Sequence, residues 1–199
     1  GNLSKALGID GHQVMAIFCK DTKLNLSPYY MKPGFAFGGS CLPKDVRALT
    51  YKAKSLDLEL PLLSSLMPSN QLQIQKGFDM ITAYGRKRLG FLGFAFKAGT
   101  DDLRESPLVA VIEALLGKGY EMKLFDRNVN LAALTGANKD YILNHIPHIS
   151  RLMVDSMQEV LEFAEVIVIG NGAAEFKTVL DELRPGQVVV DLVRVVPNK

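Results

Sequence analysis

Residues 88–96 read RLGFLGFAF, a largely apolar run near the middle of the chain. A short apolar run of this kind predicts a buried strand. A helical pattern follows, which opens at Ser106-Pro107 and ends on glycine, and then a second strand, EMKLFD. Further along, helical patterns around SMQEVLEFA and AAEFKTVLDEL alternate with the strand patterns EVIVIG and QVVVDLV. Strands that alternate with helices predict parallel pairing and an α/β fold with a doubly wound sheet.

The residues before this run are helical in pattern. A first helix ends at Gly8, and a second begins after the capping residue Asp10. Cys19, at the end of its apolar stripe, fits a small buried hydrophobe. A third helix begins at Pro43 and a long connecting helix runs from Pro61 to about Tyr84. We therefore predict a helical lobe (1–60), a connecting helix (61–84) and a domain with a doubly wound parallel sheet (85–199).

Composition excludes several classes of protein. The 199 residues carry a net charge of +2 and are 48% hydrophobic, which favours a globular protein and gives no basic surface for nucleic acid. No apolar run is long enough to span a membrane, and no signal peptide is recognisable. The two cysteines and three histidines show neither a disulfide framework nor metal-ligand spacing, which favours a reducing, cytoplasmic location. Since the chain lacks an initiator Met, we expect it to be part of a longer protein.

The segment YYMKPGFAFGGSCLPKD, residues 29–45, favours a functional loop. If the helix begins at Pro43, Leu42 is its cap and Cys41 lies just outside its N-terminus. The helix dipole and Lys44 would then favour the thiolate form of Cys41, and Gly38 and Gly39 would let a ligand approach the backbone. The residues alone leave two interpretations open: an activated nucleophile, or a cysteine that fills the core of a loop.

The first strand is not followed by the dinucleotide-binding pattern G-x-G-x-x-G, but by GFAFKAGTDD. Asp126, at the end of the second strand, fits either a ribose-binding acid or a polar strand end. The polar loop KAGTDDLRES should lie at the carboxyl edge of the sheet, where ligands bind in such folds.

Two long motifs resemble those of a known family. GFAFGGSCLPKD (34–45) closely resembles the catalytic-cysteine motif of the UDP-glucose/GDP-mannose dehydrogenase family, and FKAGTDDLRESP (96–107) resembles its second signature. NLSPYYMKPG (25–34) is most similar to the branch that acts on GDP-mannose.

The resemblance implies an NAD-dependent double oxidation at C6 of a nucleotide sugar. Cys41 would be the nucleophile that forms a thiohemiacetal and then a thioester, Asp45 would position or activate water, and Lys44 would lie near the thiolate and the cofactor. Arg104 would reach NAD bound to a preceding Rossmann domain, without which this chain alone should be inactive. The implied substrate-binding residues are Tyr29, Tyr30, Lys32, Phe35, Gly38 and Lys97.

The resemblance further implies that residues 1–60 form a central dimerisation region with the catalytic-cysteine loop, and that residues 85–199 form a Rossmann-like domain that binds the nucleotide-sugar substrate. It also implies a homodimer or higher homo-oligomer. Within the family, the alternatives to GDP-mannose are UDP-glucose and UDP-N-acetylmannosamine. Outside it, the alternative is a non-catalytic nucleotide-binding or dimerisation module. Cys41, Lys44 and Asp45 together argue against such a module, because a binding module has no need of a nucleophile.

Overall fold

The computed structural model describes residues 1–23, 25, 27, 28, 31, 33–85, 88–129 and 136–195. The chain forms two compact units, Gly1–Phe35 and Ala36–Lys199. No helix among the described residues is both long and apolar enough to cross a lipid bilayer. The division into domains at residues 60/61 and 84/85 stays a prediction.

The first unit contains two short helices, α1 (Asn2–Ala6) and α2 (Gly11–Phe18). Asp10 caps α2 as predicted, because its carboxylate accepts hydrogen bonds from the backbone N–H groups of His12 (2.9 Å) and Gln13 (3.4 Å). The predicted stop after α1 is also confirmed, since Gly8 has a φ of +68°.

The predicted burial of Cys19 is wrong, since this residue is half-buried. Its neighbours on α2 explain the difference: the side chains of Ile17 and Phe18 are 69% and 53% exposed. An apolar stripe on a helix buries a cysteine only where another element packs on the stripe.

The second unit opens with the helix α3 (Leu42–Ser55), which begins one residue earlier than predicted. Cys41 is therefore the N-cap of α3, not a residue outside it. Proline lacks an N–H group, and none of the first-turn N–H groups has a partner within the helix. Pro43 is therefore tolerated at the second helical position as well as at the first.

The long helix α4 (Pro61–Thr82) follows, and it continues through Pro68. It ends two residues before the predicted end. Its buried face includes Asn70, Gly77 and Ile81, and it packs against α3 and against α5 (Pro107–Gly117).

The parallel sheet predicted from the alternating pattern is confirmed. Its strands are β1 (Leu89–Leu92), β2 (Met122–Phe125), β3 (Val166–Ile169) and β4 (Val188–Asp191), and all neighbours run parallel in the order β2-β1-β3-β4. The strand order reverses direction between β1 and β3. In sheets of this kind, the crevice beyond the carboxyl ends of the strands at such a switch point is the usual ligand site.

β1 and β3 form the centre of the core, and every residue of both strands is buried. The helix α8 (Met157–Phe163) approaches β1 closely at Gly90, where a Cβ atom would lie 2.4 Å from Cγ1 of Val160. Glycine is required at this position because any side chain would push α8 away from the sheet.

Two helices were not assigned from the sequence: α6 (Gly136–His145) and α7 (Pro147–Ser150). The helical segment predicted around 173–183 is a 3₁₀ helix over Ala174–Asp181, not an α-helix. Its buried residues Phe176 and Val179 are three positions apart. This spacing fits three residues per turn as well as 3.6, so the pattern did not separate the two helix types.

Candidate functional site

Cys41 lies at the point where the loop before α3 joins the helix. It is exposed, and it caps α3, whose Asp45 N–H donates a 2.9 Å hydrogen bond to the Cys41 carbonyl oxygen. The Ser40 hydroxyl oxygen is 3.8 Å from Sγ. The first N–H groups of a helix have no partners within it, so this end of α3 suits a ligand that accepts hydrogen bonds.

Lys44 and Asp45, the two charged residues predicted beside the cysteine, lie in the first turn of α3. Their side chains form an exposed ion pair of 3.5 Å with 65% and 61% of each side chain in solvent. A pair this exposed contributes little to stability. Both groups are therefore open to a ligand or to water.

The two motifs found in the sequence contact each other through a pair of glycines. An ideal Cβ atom on Gly38 would lie 2.2 Å from the carbonyl oxygen of Glu105 and 2.6 Å from Cδ of Pro107. A Cβ atom on Gly39, which has a φ of +84°, would lie 2.9 Å from the ring of Phe96. Residues 37–41, called the cysteine loop from here on, therefore lie against residues 96–107, the loop that follows the carboxyl end of β1.

Asn70 holds the same loop from the other side. Its amide Oδ1 accepts a hydrogen bond from the N–H of Phe37, and its Nδ2 donates to the carbonyl oxygen of Phe37, both at 2.8 Å. Asn70 is nearly buried, in the middle of α4. The long helix thus fixes the backbone four residues before Cys41.

Arg104 and Asp102 form a two-pronged ion pair beside the cysteine. Nε and Nη2 of Arg104 donate to the two Asp102 oxygens at 2.8 and 2.9 Å. Burial disfavours the charge on Asp102, but hydrogen bonds from Arg104 and from Ser40 outweigh it and hold the Asp102 pKa below its ordinary 3.8. The Asp102 carboxylate raises the pKa of Arg104, and negative charge on Cys41 adds to this effect.

We expect Asp102→Asn to destabilise the protein in a pH-dependent way. A carboxylate whose pKa is depressed by folding contributes stability that is present above its unfolded value, about pH 4, and lost as pH falls through the folded value. At pH 7 the substitution should lower the free energy of unfolding by about 1.5–3 kcal/mol, the range for a hydrogen bond to a charged group. Urea unfolding at pH 7 and near pH 3 checks this, and a difference that grows on acidification would contradict it.

Asp126 has a structural role at the carboxyl edge of the sheet. Its Oδ2 accepts hydrogen bonds from the N–H groups of Phe94 (3.1 Å) and Ala95 (3.2 Å) and from Nδ2 of Asn171 (3.0 Å), while Oδ1 accepts from the N–H of Asn128 (3.1 Å). The carboxylate is 6% exposed. Of the two interpretations left open, these contacts favour the polar strand end, which here shapes the loop after β1.

Two of the remaining predicted residues, Lys97 and Phe35, are among the described residues. Lys97 is exposed in the loop after β1, where its carbonyl oxygen accepts a 2.9 Å hydrogen bond from the Thr100 hydroxyl. Phe35 is half-buried and is the last residue of the first unit. Tyr29, Tyr30 and Lys32 lie outside the described residues.

Several residues of the site were not recognised from the sequence. Ser40, Asp102 and Glu105 stand inside the two motifs but were given no role, and Asn70 and Arg47 stand on helices. A polar residue on the buried side of a helix is the one signal that singles out Asn70. The contacts of the others depend on how the two motifs fold together.

The fold and the site define a Rossmann-like α/β protein with an exposed candidate nucleophile beside the carboxyl edge of its sheet. The chain belongs to the UDP-glucose/GDP-mannose dehydrogenase family. The family's central domain matches residues 1–72, and its UDP binding domain matches residues 90–198. The resemblance seen in the two motifs is therefore confirmed.

Individual relatives match along the whole chain. It is 57% identical over 198 residues to the GDP-mannose 6-dehydrogenase of Pseudomonas aeruginosa, covering 100% of this chain and 45% of that protein. It is 28% identical over 207 residues to the UDP-glucose 6-dehydrogenase of Rickettsia felis, covering 100% of this chain and 41% of that protein.

The fold agrees with a solved structure as well. The crystal structure of a ternary complex of GDP-mannose dehydrogenase from Pseudomonas aeruginosa has a TM-score of 0.83 and 56% identity, and the match covers 100% of this chain and 46% of that one. The chain thus spans just under half the length of these relatives.

Proposed function

We propose that this chain is the substrate-binding and catalytic-cysteine part of an NAD-dependent nucleotide-sugar 6-dehydrogenase that oxidises GDP-mannose to GDP-mannuronate. The observation that carries the proposal is that Cys41, an exposed thiol at a helix N-terminus, closely follows the residues Gly38 and Gly39, which pack against the loop after β1. GDP-mannose is favoured over UDP-sugars by the identity of 57% to a GDP-mannose 6-dehydrogenase, against 28% to a UDP-glucose 6-dehydrogenase.

The cations beside Cys41 fit a dinucleotide cofactor. Arg104 is partly exposed and Lys44 largely exposed, and both suit the negative pyrophosphate of NAD. Bound NAD would accept one hydride from C6 of the sugar in each of two oxidations. Because the chain spans less than half of its relatives, we place the main cofactor-binding domain in the preceding part of a longer protein and expect this chain alone to be inactive.

Cys41 acts once the first oxidation has produced an aldehyde. The thiolate adds to the aldehyde carbon, a C–S bond forms, and the former carbonyl oxygen takes up a proton to give a thiohemiacetal. Loss of the second hydride from C6 and of the hydroxyl proton leaves a thioester on Cys41. Water adds to this thioester, the C–S bond breaks, and the carboxylate and the free thiol are released.

The surrounding residues have distinct proposed roles. Asp45 orients the water that hydrolyses the thioester, and Lys44 stabilises negative charge on the thiolate or on the oxygen of the intermediate. Lys32 binds a phosphate of the substrate. The remaining proposed substrate contacts are Tyr29, Tyr30, Phe35, Gly38 and Lys97. We further propose that the enzyme is a cytoplasmic homodimer or higher homo-oligomer whose product supplies polysaccharide synthesis of the alginate type.

The proposal is tested by counting NADH formed per sugar consumed by the full-length protein that contains this chain. GDP-mannose, UDP-glucose and UDP-N-acetylmannosamine are supplied in parallel. Two NADH per GDP-mannose, with little turnover of the UDP-sugars, is the expected result. Turnover of a UDP-sugar alone would keep the mechanism and replace the substrate. No NADH from any of the three would favour a non-catalytic nucleotide-binding or dimerisation module.

A further inference from the structure

An ion pair joins α3, the helix capped by Cys41, to the second sequence motif, residues 96–107. Arg47, on α3, donates from Nη1 to Oε2 of Glu105 at 2.9 Å and from Nη2 to Oε1 of the same carboxylate. The two side chains are 52% and 40% exposed. A two-pronged guanidinium–carboxylate contact fixes orientation as well as distance. As an exposed pair, however, it adds little to global stability.

Glu105 is held at its backbone as well. Its carbonyl oxygen lies directly against Gly38. Two elements therefore meet at this one residue: α3 through Arg47, and the cysteine loop through Gly38.

The backbone of Glu105 is strained. Its φ is +50°, the left-handed region that non-glycine residues rarely adopt. Such conformations cost free energy and persist only where the surroundings impose them, often at functional sites. Glu105 stands between Arg104, which pairs with Asp102, and Ser106, which caps α5 and donates a 2.7 Å hydrogen bond to the carbonyl oxygen of Phe94. The left-handed turn at Glu105 thus lies directly between Arg104 and the start of α5.

We propose that Arg47 and Glu105 are a positioning pair that sets the placement of Cys41 relative to Arg104, and that the pair serves the second oxidation. This inference rests on the proposed function. The first hydride transfer starts from an alcohol and needs no thiol, whereas the second starts from an adduct on Cys41. Both steps share the proposed cofactor contacts of Lys44 and Arg104, but only the second also needs Cys41. Movement of α3 relative to the loop 97–106 therefore lowers the rate of the second step more than that of the first.

The experiment compares the two oxidations in the full-length enzyme. GDP-mannose and its C6 aldehyde are supplied separately to the wild type, Glu105→Gln and Arg47→Lys. We expect kcat with the aldehyde to fall by about tenfold or more in both variants, because a misplacement of about 1 Å can cost 10²-fold. The first hydride transfer from GDP-mannose, measured in a single turnover, should stay within about twofold of wild type. Free aldehyde should also appear during GDP-mannose turnover.

The chain offers a matched control. Arg88 and Glu165 form an ion pair with side chains 53% and 42% exposed, nearly the same as the Arg47–Glu105 pair. It lies at the amino end of the sheet, so Glu165→Gln should leave both oxidations unchanged. The double exchange Arg47→Glu with Glu105→Arg should restore part of the lost aldehyde oxidation. Equal losses in both steps, an unchanged aldehyde step, or the same loss in Glu165→Gln would overturn the proposal.

A second measurement separates this proposal from the proposed function. In a Cys19→Ser background, the rate of Cys41 alkylation by iodoacetamide reports the surroundings of Sγ without any substrate. We expect Glu105→Gln to slow it by about two- to fivefold as Cys41 moves away from the charge of Arg104, and Glu165→Gln to leave it unchanged. If the wild type oxidises no nucleotide sugar, the proposed function fails, and the alkylation rate still decides whether the pair positions Cys41. An unchanged alkylation rate in Glu105→Gln would overturn the proposal that Arg47 and Glu105 position Cys41.

Discussion

Replacing Cys41 with serine in the full-length enzyme will abolish formation of the uronate while leaving the protein folded. Cys41 is exposed at the N-cap of α3, and its side chain makes no capping hydrogen bond to the helix. Serine is a favourable N-cap residue, so the helix should be retained or slightly stabilised. The chemistry changes because a hydroxyl is a far weaker nucleophile than a thiolate and an ester hydrolyses more slowly than a thioester.

The expected loss is large. Removing the nucleophile of a covalent mechanism costs at least about 10³-fold in kcat. At most one NADH should form per GDP-mannose, and the aldehyde should be trapped by a hydrazine reagent. Cys19→Ser is the matched control, since Cys19 is half-buried in the first unit and should leave NADH stoichiometry at two. Two NADH per sugar at the wild-type rate in Cys41→Ser would exclude the thioester route.

The sheet could be predicted because its determinants are local. The apolar runs around β1 and β3 have lengths and flanking residues that favour buried strands, and both strands are buried along their whole length. The cap at Asp10 was predicted for the same reason, because a capping side chain bonds to residues two and three positions away.

The elements that were mispredicted depend on finer or longer-range interactions. The exact start of α3 differs by one residue because proline is acceptable at either of the first two positions. The prediction that Cys19 is buried failed because burial depends on which element covers α2. The pattern of a single helix does not specify that element. The 3₁₀ helix at Ala174–Asp181 has the same residue spacing as a short α-helix.

In the candidate site, too, the features set by neighbouring residues could be predicted and those set by distant contacts could not. The sequence placed Cys41, Lys44 and Asp45 together, since they lie in one helical turn. It did not reveal that Glu105 adopts a left-handed conformation or that Asn70 holds the backbone of Phe37, a residue 33 positions away in sequence. Contacts of this range arise only when the two motifs pack, so no local pattern specifies them.

Gly38→Ala will have the second largest effect on aldehyde oxidation, because Gly38 lies where the motif 34–45 contacts the motif 96–107. The added Cβ atom would lie 2.2 Å from a backbone oxygen and 2.6 Å from a proline ring carbon. Neither group can rotate away as the end of a flexible side chain could. The cysteine loop and the loop after β1 must therefore separate by about 1 Å to reach ordinary van der Waals distance.

This separation should be visible in both stability and activity. Overpacking of this kind lowers the free energy of unfolding by about 1–3 kcal/mol, and a shift of about 1 Å at Cys41 lowers kcat for aldehyde oxidation by about 10²-fold. Gly117→Ala is the control, since the space around Gly117 is open at the end of α5, and alanine there should be neutral or stabilising by up to about 1 kcal/mol. Urea unfolding and single-turnover kinetics measure the two effects.

A Gly38→Ala enzyme with wild-type kcat and stability would show that the two loops are not in close contact during catalysis. The tight packing of Gly38 on Glu105 would then have no part in positioning the nucleophile.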